Sequence, residues 1–486
     1  MNPYTSSGSV ATMTANVSGN DNLNDLGDGP RQPGDPERYP VGAVTRRLLG
    51  YVRPHRISFV ASFVSESISV IMQLYTPILI GEGIDLIVAA GQVDFDALLP
   101  LVTKLAIVVV GAAAFQWLQG YCVNRLSYET VRDMRVEASD KPVTESFLGF
   151  GIALTGSSCS LLQKMDAAAR AEVLSKAFGE EGLNLSLARI SVGSSDYSPE
   201  LYCCEDAEGN FTIDKDKEYV LPVLREALKT NENLKFFCAP WSPPGRMKTG
   251  GSMCGGFMRE GFLAEYAAYY CDFLAAYRRE GIDIFALTAQ NEPETDQIGK
   301  MPACLFSPEL EAKFIFLMRK NLRERGLNPE IWLCDHNFIY VKRVLWQLKE
   351  YPELLSAVNG AAFHYYAGGA EQTEAIRADY PQLGLHFTEG GPGLHNNYAA
   401  DYCKWGATVC RALNHGFRSF TGWNLLLDES GAPNIGPFFC GGLITVDSVT
   451  GELSYSGQYR AFSHFSPVVT RGASVYPCKV YDSAVT

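Results

Sequence analysis

Ile284-Phe285-Ala286-Leu287-Thr288-Ala289-Gln290-Asn291-Glu292-Pro293 is the stretch from which the rest of the chain is read. Its first residues are apolar and β-favouring, as in a short buried strand. They give way abruptly to Asn291-Glu292 before a proline that stops any helix. A carboxylate at the C-terminal end of a buried parallel strand is where barrel enzymes place their reactive groups. Leu385-His386-Phe387-Thr388-Glu389-Gly390-Gly391 repeats the pattern further on.

Working outward, strands and helices alternate from about residue 145. Candidate strands are Phe147 to Leu154, Leu185 to Val192, Leu234 to Trp241, the opening stretch, Glu330 to Cys334, Ala361 to Tyr366, Gly384 to Thr388 and Ser419 to Leu427. Helices are expected from Asp166 to Phe178, from Phe262 to Arg279 with Gly281 closing it, and from Tyr398 to Asn414. Another begins at Ser307-Pro308, a cap residue with a first-turn proline, and ends at Gly326. Eight such units predict a (β/α)8 barrel over 145–470. A doubly wound sheet would compete, but no Gly-rich dinucleotide loop opens a first unit.

The C-terminal ends of these strands carry Arg189 and Asp196, Trp241, Asn291 and Glu292, Asp335 and His336, His364 and Tyr366, Glu389, and Trp423 with Asn424. Amides, carboxylates and indoles converging on one face suit a sugar, with polar groups on its hydroxyls and Trp on its apolar ring face. Alone, His364 reads as a hydrogen-bonded core residue and Trp423 as packing; the combination makes the site. Paired carboxylates suggest glycoside hydrolysis, one protonating the leaving oxygen while the other attacks. No His/Asp/Glu cluster has metal-ligand spacing, so neither metal nor cofactor is expected.

The remainder is different in character. Residues 1–40 are rich in Asn, Gly, Ser, Asp and Pro and read as disordered. Residues 57–80 and 97–123 are apolar, with Glu66 and Lys104 their only charges, and are long enough to span a bilayer. Arginines flank them (Arg46, Arg47, Arg53 and Arg56 before; Arg125, Arg132 and Arg135 after), while the loop between carries only acids. That asymmetry puts both flanks, and the barrel, on the cytoplasmic side of a membrane; without insertion the chain would be cytoplasmic. The net charge of −13 argues against nucleic acid. The 13 cysteines show no repeated C-x-x-C spacing, and Cys238, Cys334 and Cys440 lie in apolar runs, so reduced thiols are expected.

Two resemblances follow from these residues. Tyr51-Val52-Arg53-Pro54-His55, Tyr75-Thr76-Pro77-Ile78-Leu79-Ile80-Gly81 and Val131-Arg132-Asp133-Met134-Arg135 make 41–138 similar to the first two helices of an ABC exporter membrane domain. Such a domain has six helices and an ATPase partner; no phosphate loop, and hence no ATP site, occurs in this chain. Residues from about 145 to 482 resemble the glucosylceramidase family of glycoside hydrolases (family 30). The resemblance rests on Gly149-Phe150-Gly151, Arg189 with Asp196, Ala239-Pro240-Trp241-Ser242-Pro243-Pro244, Thr288-Ala289-Gln290-Asn291-Glu292-Pro293, Phe363-His364-Tyr365-Tyr366, His386-Phe387-Thr388-Glu389-Gly390-Gly391 and Gly422-Trp423-Asn424-Leu425.

That resemblance implies a retaining β-glycosidase acting on a β-glucoside or glycolipid such as glucosylceramide. Glu292 would be the general acid/base and Glu389 the nucleophile. Asn291 would bind the sugar 2-hydroxyl, and Asp196, Trp241 and Trp423 would grip the glycone. His364, Tyr366 and Asn424 complete the substrate-contacting set, and Arg189 supports the carboxylates together with His364 and Tyr366. As the acid, Glu292 should lie in the less polar setting or feel the charge of Glu389. Family members also pack an accessory β-sandwich on the barrel. Here one candidate strand, Ala473 to Tyr481 within 471–486, is its expected remnant. A membrane transport component and an inactive carbohydrate-binding relic are the competing functions.

Overall fold

The computed structural model describes residues 56–89, 92–93, 95–134 and 142–476. The expectations for 1–40, most of the flanking arginines and the end of the Ala473 strand lie outside these residues. The chain divides into two compact units, one ending at Arg135 and one running from Val136 to Tyr481.

In the first unit, helices α1 (Arg56–Asp85) and α2 (Phe95–Met134) each run past the apolar stretches read from the sequence. They pair along their length, with Ser69 Oγ donating to the Ala112 carbonyl at 3.2 Å. Among the described residues Phe63, Leu74 and Trp117 are 70%, 69% and 72% exposed. Both are long and apolar enough to cross a membrane.

The second unit is a closed barrel of eight parallel strands: β1 (Gly149–Ala153), β2 (Leu187–Val192), β3 (Lys235–Pro240), β4 (Ile284–Thr288), β5 (Glu330–Asn337), β6 (Gly360–His364), β7 (Gly384–Glu389) and β8 (Phe417–Gly422). Each pairs with its neighbours in chain order, and β8 closes on β1. The strands are buried on both sides, which is why they read as apolar runs without alternation. Outer helices include α3 (Gly156–Lys164), α4 (Ala167–Phe178), α5 (Asp214–Thr230), α6 (Leu263–Arg279), α7 (Pro308–Glu324), α8 (Val341–Glu350), α9 (Glu374–Asp379), α10 (Tyr402–Asn414) and α11 (Gly457–Phe465).

The punctuation in the sequence sets the helix ends. Asp166 caps α4, accepting from the amides of Ala168 and Ala169, and Ser307 Oγ accepts from Leu310 N at the start of α7. Gly281 and Gly326 follow the ends of α6 and α7 at φ of +83° and +66°, a left-handed turn that costs glycine nothing. At the N-terminal end of the barrel Arg471 donates to the carbonyls of Leu148, Asn233 and Ser186. A cavity of about 620 Å3 lies there.

Three details depart from expectation. The β5 strand continues three residues beyond Cys334, through Asp335 and His336 to Asn337, with positive φ at Cys334 (+76°) and Asp335 (+51°). A shift in register against β6 falls at the same place, a bulge that redirects the strand end. Helix α10 starts at Tyr402, not Tyr398, whose hydroxyl bonds Gly442 O and Thr445 Oγ1. Of Ala473 to Tyr481, the described residues through Tyr476 make only an isolated bridge, Val475 to Thr144.

Candidate active site

At the C-terminal ends of the strands a cavity of about 500 Å3 opens over both glutamates. It is lined by Asp196, Trp241, Asn291, Glu292, Tyr366, Glu389 and Trp423 from the predicted set. Glu292 follows β4 in a left-handed backbone conformation (φ +45°), its amide bonded to the Asp335 carbonyl at 3.0 Å. Asn291 N donates to Pro240 O, and Gln290 Nε2 to Trp241 O, which ties the end of β4 to that of β3. Glu389 is the last residue of β7.

The two glutamates and His364 bring a carboxylate oxygen each and a ring nitrogen within 4.8 Å of one another. Among the described residues this is the one His/Cys/Asp/Glu group close enough to surround an ion, assembled from three strand ends that no local spacing could reveal. Both His364 nitrogens face carboxylates: Nδ1 lies 3.2 Å from Glu292 Oε1 and Nε2 3.0 Å from Asp335 Oδ1. That is the geometry of an imidazolium, which has no lone pair for a metal. Burial would lower its pKa, but Glu389, Asp335 and Glu292 raise it to about 9.

Behind the cavity Arg189 is wholly buried and joins three of these groups. Its Nη1 donates to Glu389 Oε2 at 2.5 Å, and its Nη2 to Asn291 Oδ1 and Asp335 Oδ2, both at 2.8 Å. Tyr366 donates its hydroxyl to the other Glu389 oxygen, Oε1, at 3.0 Å. Trp241 and Trp423 stack on each other at 5.1 Å, with the Arg189 guanidinium over both rings. Asp196 is buried beside them with Oδ1 unbonded; burial first, then the charges of Glu389 and Glu292, push its pKa well up. A neutral carboxyl in that position donates a hydrogen bond as well as accepting one.

Two predicted residues sit elsewhere. Asn424 is fully buried outside the cavity, at φ +60°, its Oδ1 accepting from Thr155 Oγ1 at 2.9 Å, so it braces the turn after β8. His364 is behind the glutamates and not on the cavity surface. The acidities also differ from expectation. Burial raises Glu292, but its bond to His364 and the charges of His364 and His336 bring it below the ordinary carboxylate value. Glu389 is raised by burial against the pull of His364 and Arg189, with the charges of Glu292 and Asp335 adding to it. The two shifts differ in direction because the His364 imidazolium stands closer to Glu292, 3.2 Å away, than to Glu389, 3.9 Å away.

Sequence reasoning passed over Asp335 and His336 once they had been placed at a strand end, and missed the rim. Phe438 and Phe439, 46% and 66% exposed, line the cavity mouth with Met301, Tyr365 and Lys404. Their loop is held by Tyr197 Oη donating to Phe438 O at 3.1 Å and by Leu394 N donating to Phe439 O at 3.1 Å. No periodic pattern marks such a loop; only its length after β8 was a signal. The described cysteines form no disulfide; Cys238 and Cys334 are buried in the core, and Cys440 lines the cavity.

A barrel of this order, with Glu292 following β4 and Glu389 ending β7, matches the family described as the glycosyl hydrolase family 30 TIM-barrel domain over residues 147–469. The chain belongs to that family. It is 26% identical over 356 residues to an endo-1,6-β-D-glucanase of Neurospora crassa (68% of this chain, 72% of the relative). It is 24% identical over 353 residues to the lysosomal acid glucosylceramidase of Mus musculus (67% and 68%). Among solved structures, an endo-β1,6-glucanase superposes with a TM-score of 0.65 at 29% identity, covering 68% of this chain and 78% of that one. The family 30 chain is thus a glycoside hydrolase of barrel fold. The family match covers the barrel; the ABC exporter resemblance of 41–138 rests on its own residues alone.

Proposed function

We propose that this family 30 chain is a retaining β-glycosidase that cleaves β-glucosides carrying an apolar aglycone, glucosylceramide being the type. The observation that carries the proposal is the approach of Glu292 and Glu389, whose oxygens come within 4.8 Å. Retaining pairs stand roughly 5–5.5 Å apart, whereas inverting pairs leave room for a water.

Glu389 attacks the anomeric carbon through Oε1, the oxygen held only by Tyr366, while Arg189 keeps Oε2. Glu292 protonates the glycosidic oxygen, the C–O bond to the aglycone breaks, and a glycosyl ester forms on Glu389. The pair reacts from the state in which its one proton sits on Glu292 and Glu389 is ionised, so that proton passes to the glycosidic oxygen as the bond breaks and leaves Glu292 ionised. Water then gives its proton to Glu292 and attacks the ester, releasing the sugar with its configuration kept. Asn291, fixed by Arg189, bonds the 2-hydroxyl, and the Trp pair with Asp196 holds the ring.

The exposed Phe438 and Phe439 favour an apolar aglycone. A β-1,6-linked glucosyl aglycone is the second reading, supported by the glucanase relatives. α1 and α2 would anchor the chain, with the barrel on the cytoplasmic side by the arginine asymmetry of the sequence. The test is the full chain with a 2-fluoro-β-glucosyl fluoride. One glycosyl mass added at Glu389 is expected; inversion of configuration, or a label elsewhere, would overturn the proposal. Turnover of glucosylceramide against a β-1,6-linked disaccharide decides the aglycone.

A further inference from the structure

One buried side chain touches both cations that contact the two glutamates. The Asp335 carboxylate accepts Arg189 Nη2 at 2.8 Å and Thr288 Oγ1 at 2.6 Å on Oδ2. On Oδ1 it accepts Thr388 Oγ1 at 2.7 Å and faces His364 Nε2 at 3.0 Å. Its backbone carbonyl holds the Glu292 amide at 3.0 Å. Thr288 is the last residue of β4, and Thr388 immediately precedes Glu389 on β7. The group is thus fastened to both strands that carry glutamates and to both cations that contact them.

We infer that Asp335 is a positioning residue of the reaction: it sets the distance between Glu292 and Glu389 and keeps His364 doubly protonated beside them. The inference rests on those two glutamates being the catalytic pair. The bulge at Cys334 and Asp335 is its backbone counterpart. Left-handed φ at two successive non-glycine residues persists only where surrounding contacts over-determine it. A barrel interior needs no charge for packing, and apolar residues would fill the space as well. A carboxylate with two bonds to each oxygen is explained by what it holds in place.

The charged and titratable groups around His364 are Asp335 and Glu292 on its two nitrogens and Glu389, 3.9 Å from Nε2. The His336 ring stands 6.4 Å away and the Tyr366 ring 6.2 Å away, and Arg189 reaches this cluster through Asp335. Asp335 is therefore one of three carboxylates that keep the imidazolium charged, and the one that contacts both cations and neither reacts nor faces the cavity.

Asp335→Asn in the full chain tests this. Turnover of an aryl β-glucoside is followed across pH, and the His364 ring is titrated by nitrogen NMR without substrate. The variant is expected to lose about 100-fold in kcat with KM within about threefold. Its alkaline limb and its His364 titration should both move to lower pH, because the imidazolium has lost an acceptor and a negative neighbour. A folded variant with kcat within about threefold of the parent would overturn the inference. So would a fall in kcat with the limb and the His364 titration unmoved, since that describes packing alone. If the variant does not fold, Thr388→Val removes one anchor and keeps the charge. About tenfold lower kcat at unchanged KM is then expected, and parental kcat would sink the spacing role. A parent chain that takes no fluoro-sugar label would refute the glycosidase reading, while the His364 titration, which needs no turnover, would still judge Asp335.

Discussion

His336 and His364 stand 6.4 Å apart, ring centre to ring centre, both reaching toward Glu292 Oε1, and their surroundings drive them in opposite directions. His364, between three carboxylates, is raised to about 9 although its burial works against this. His336, stacked on Tyr340 with Nδ1 unbonded, is lowered by burial to about 4. One is a cation and the other neutral across the same working range.

Opposite shifts give opposite pH dependence. His364 is raised above its unfolded value near 6.5, so its contribution is complete below about 6.5 and is lost as pH climbs through 9. His336 is depressed, so the unfolded chain takes up a proton that the folded chain refuses, and stability falls as pH drops from about 6.5 toward 4. The two together predict a stability maximum between these limbs. His364→Gln should remove the alkaline limb and leave the acid one; urea unfolding midpoints from pH 4 to pH 9 check it, and a limb that survives the substitution contradicts the assignment.

The roles of the glutamates separate by leaving group. Glu389→Gln should abolish turnover of every β-glucoside, by about 10^4-fold or more, since no covalent intermediate forms. Glu292→Gln should cost about 10^2–10^4-fold with a poor leaving group, which needs the proton, and far less in the first step with dinitrophenyl glucoside. That variant should accumulate the glycosyl ester, and added azide should release it as β-glucosyl azide. Azide product of inverted configuration would exchange the two assignments.

Barrel strands were legible because burial on both faces leaves an apolar run that ends where the polar site begins; β4 and β7 each showed this in a handful of residues. α3, α5, α8, α9 and α11 went unread. α5 has Pro222 in its interior, and α3 is short and rich in Ser and Gly, so neither carried a clear helical signal. At the site, the strand-end residues Asp196, Trp241, Asn291, Glu292, Tyr366, Glu389 and Trp423 come together on one cavity wall. Asp335 was underrated because its importance lies in bonds to four residues distant in sequence, and Asn424 was overrated because its amide turns away toward Thr155. The acidities could not be read at all: they depend on which glutamate lies nearer His364.

A local reading can be tested as locally. Ser307 caps α7 through Leu310 N, with Pro308 in the first turn and Glu311 buried behind it against Arg343. Ser307→Ala should lower stability by about 1 kcal/mol, the usual cost of an unfilled N-cap, and leave the kinetics alone because no residue of α7 lines the cavity. Thermal unfolding beside steady-state kinetics measures both, and a change in KM would mean that the cap reaches the site through Glu311 and the Arg343–Glu294 pair that follows Glu292.

The rim decides between the two aglycones, and it does so through binding more than through chemistry. Phe438 and Phe439 lie at the cavity mouth on a loop pinned by Tyr197 and Leu394, so their exposed rings are presented rather than mobile. Burying an aromatic ring against an acyl chain contributes about 1.5–3 kcal/mol, enough to change KM by one to two orders of magnitude. Phe438→Ser with Phe439→Ser should therefore raise KM for glucosylceramide by at least about tenfold while kcat and the hydrolysis of methyl β-glucoside change little. A glucosyl aglycone lays only one ring face on these residues and should lose less. If the double variant instead weakens a β-1,6-linked oligosaccharide and spares glucosylceramide, the rim is a sugar platform, and the glucanase relatives are the better guide to substrate.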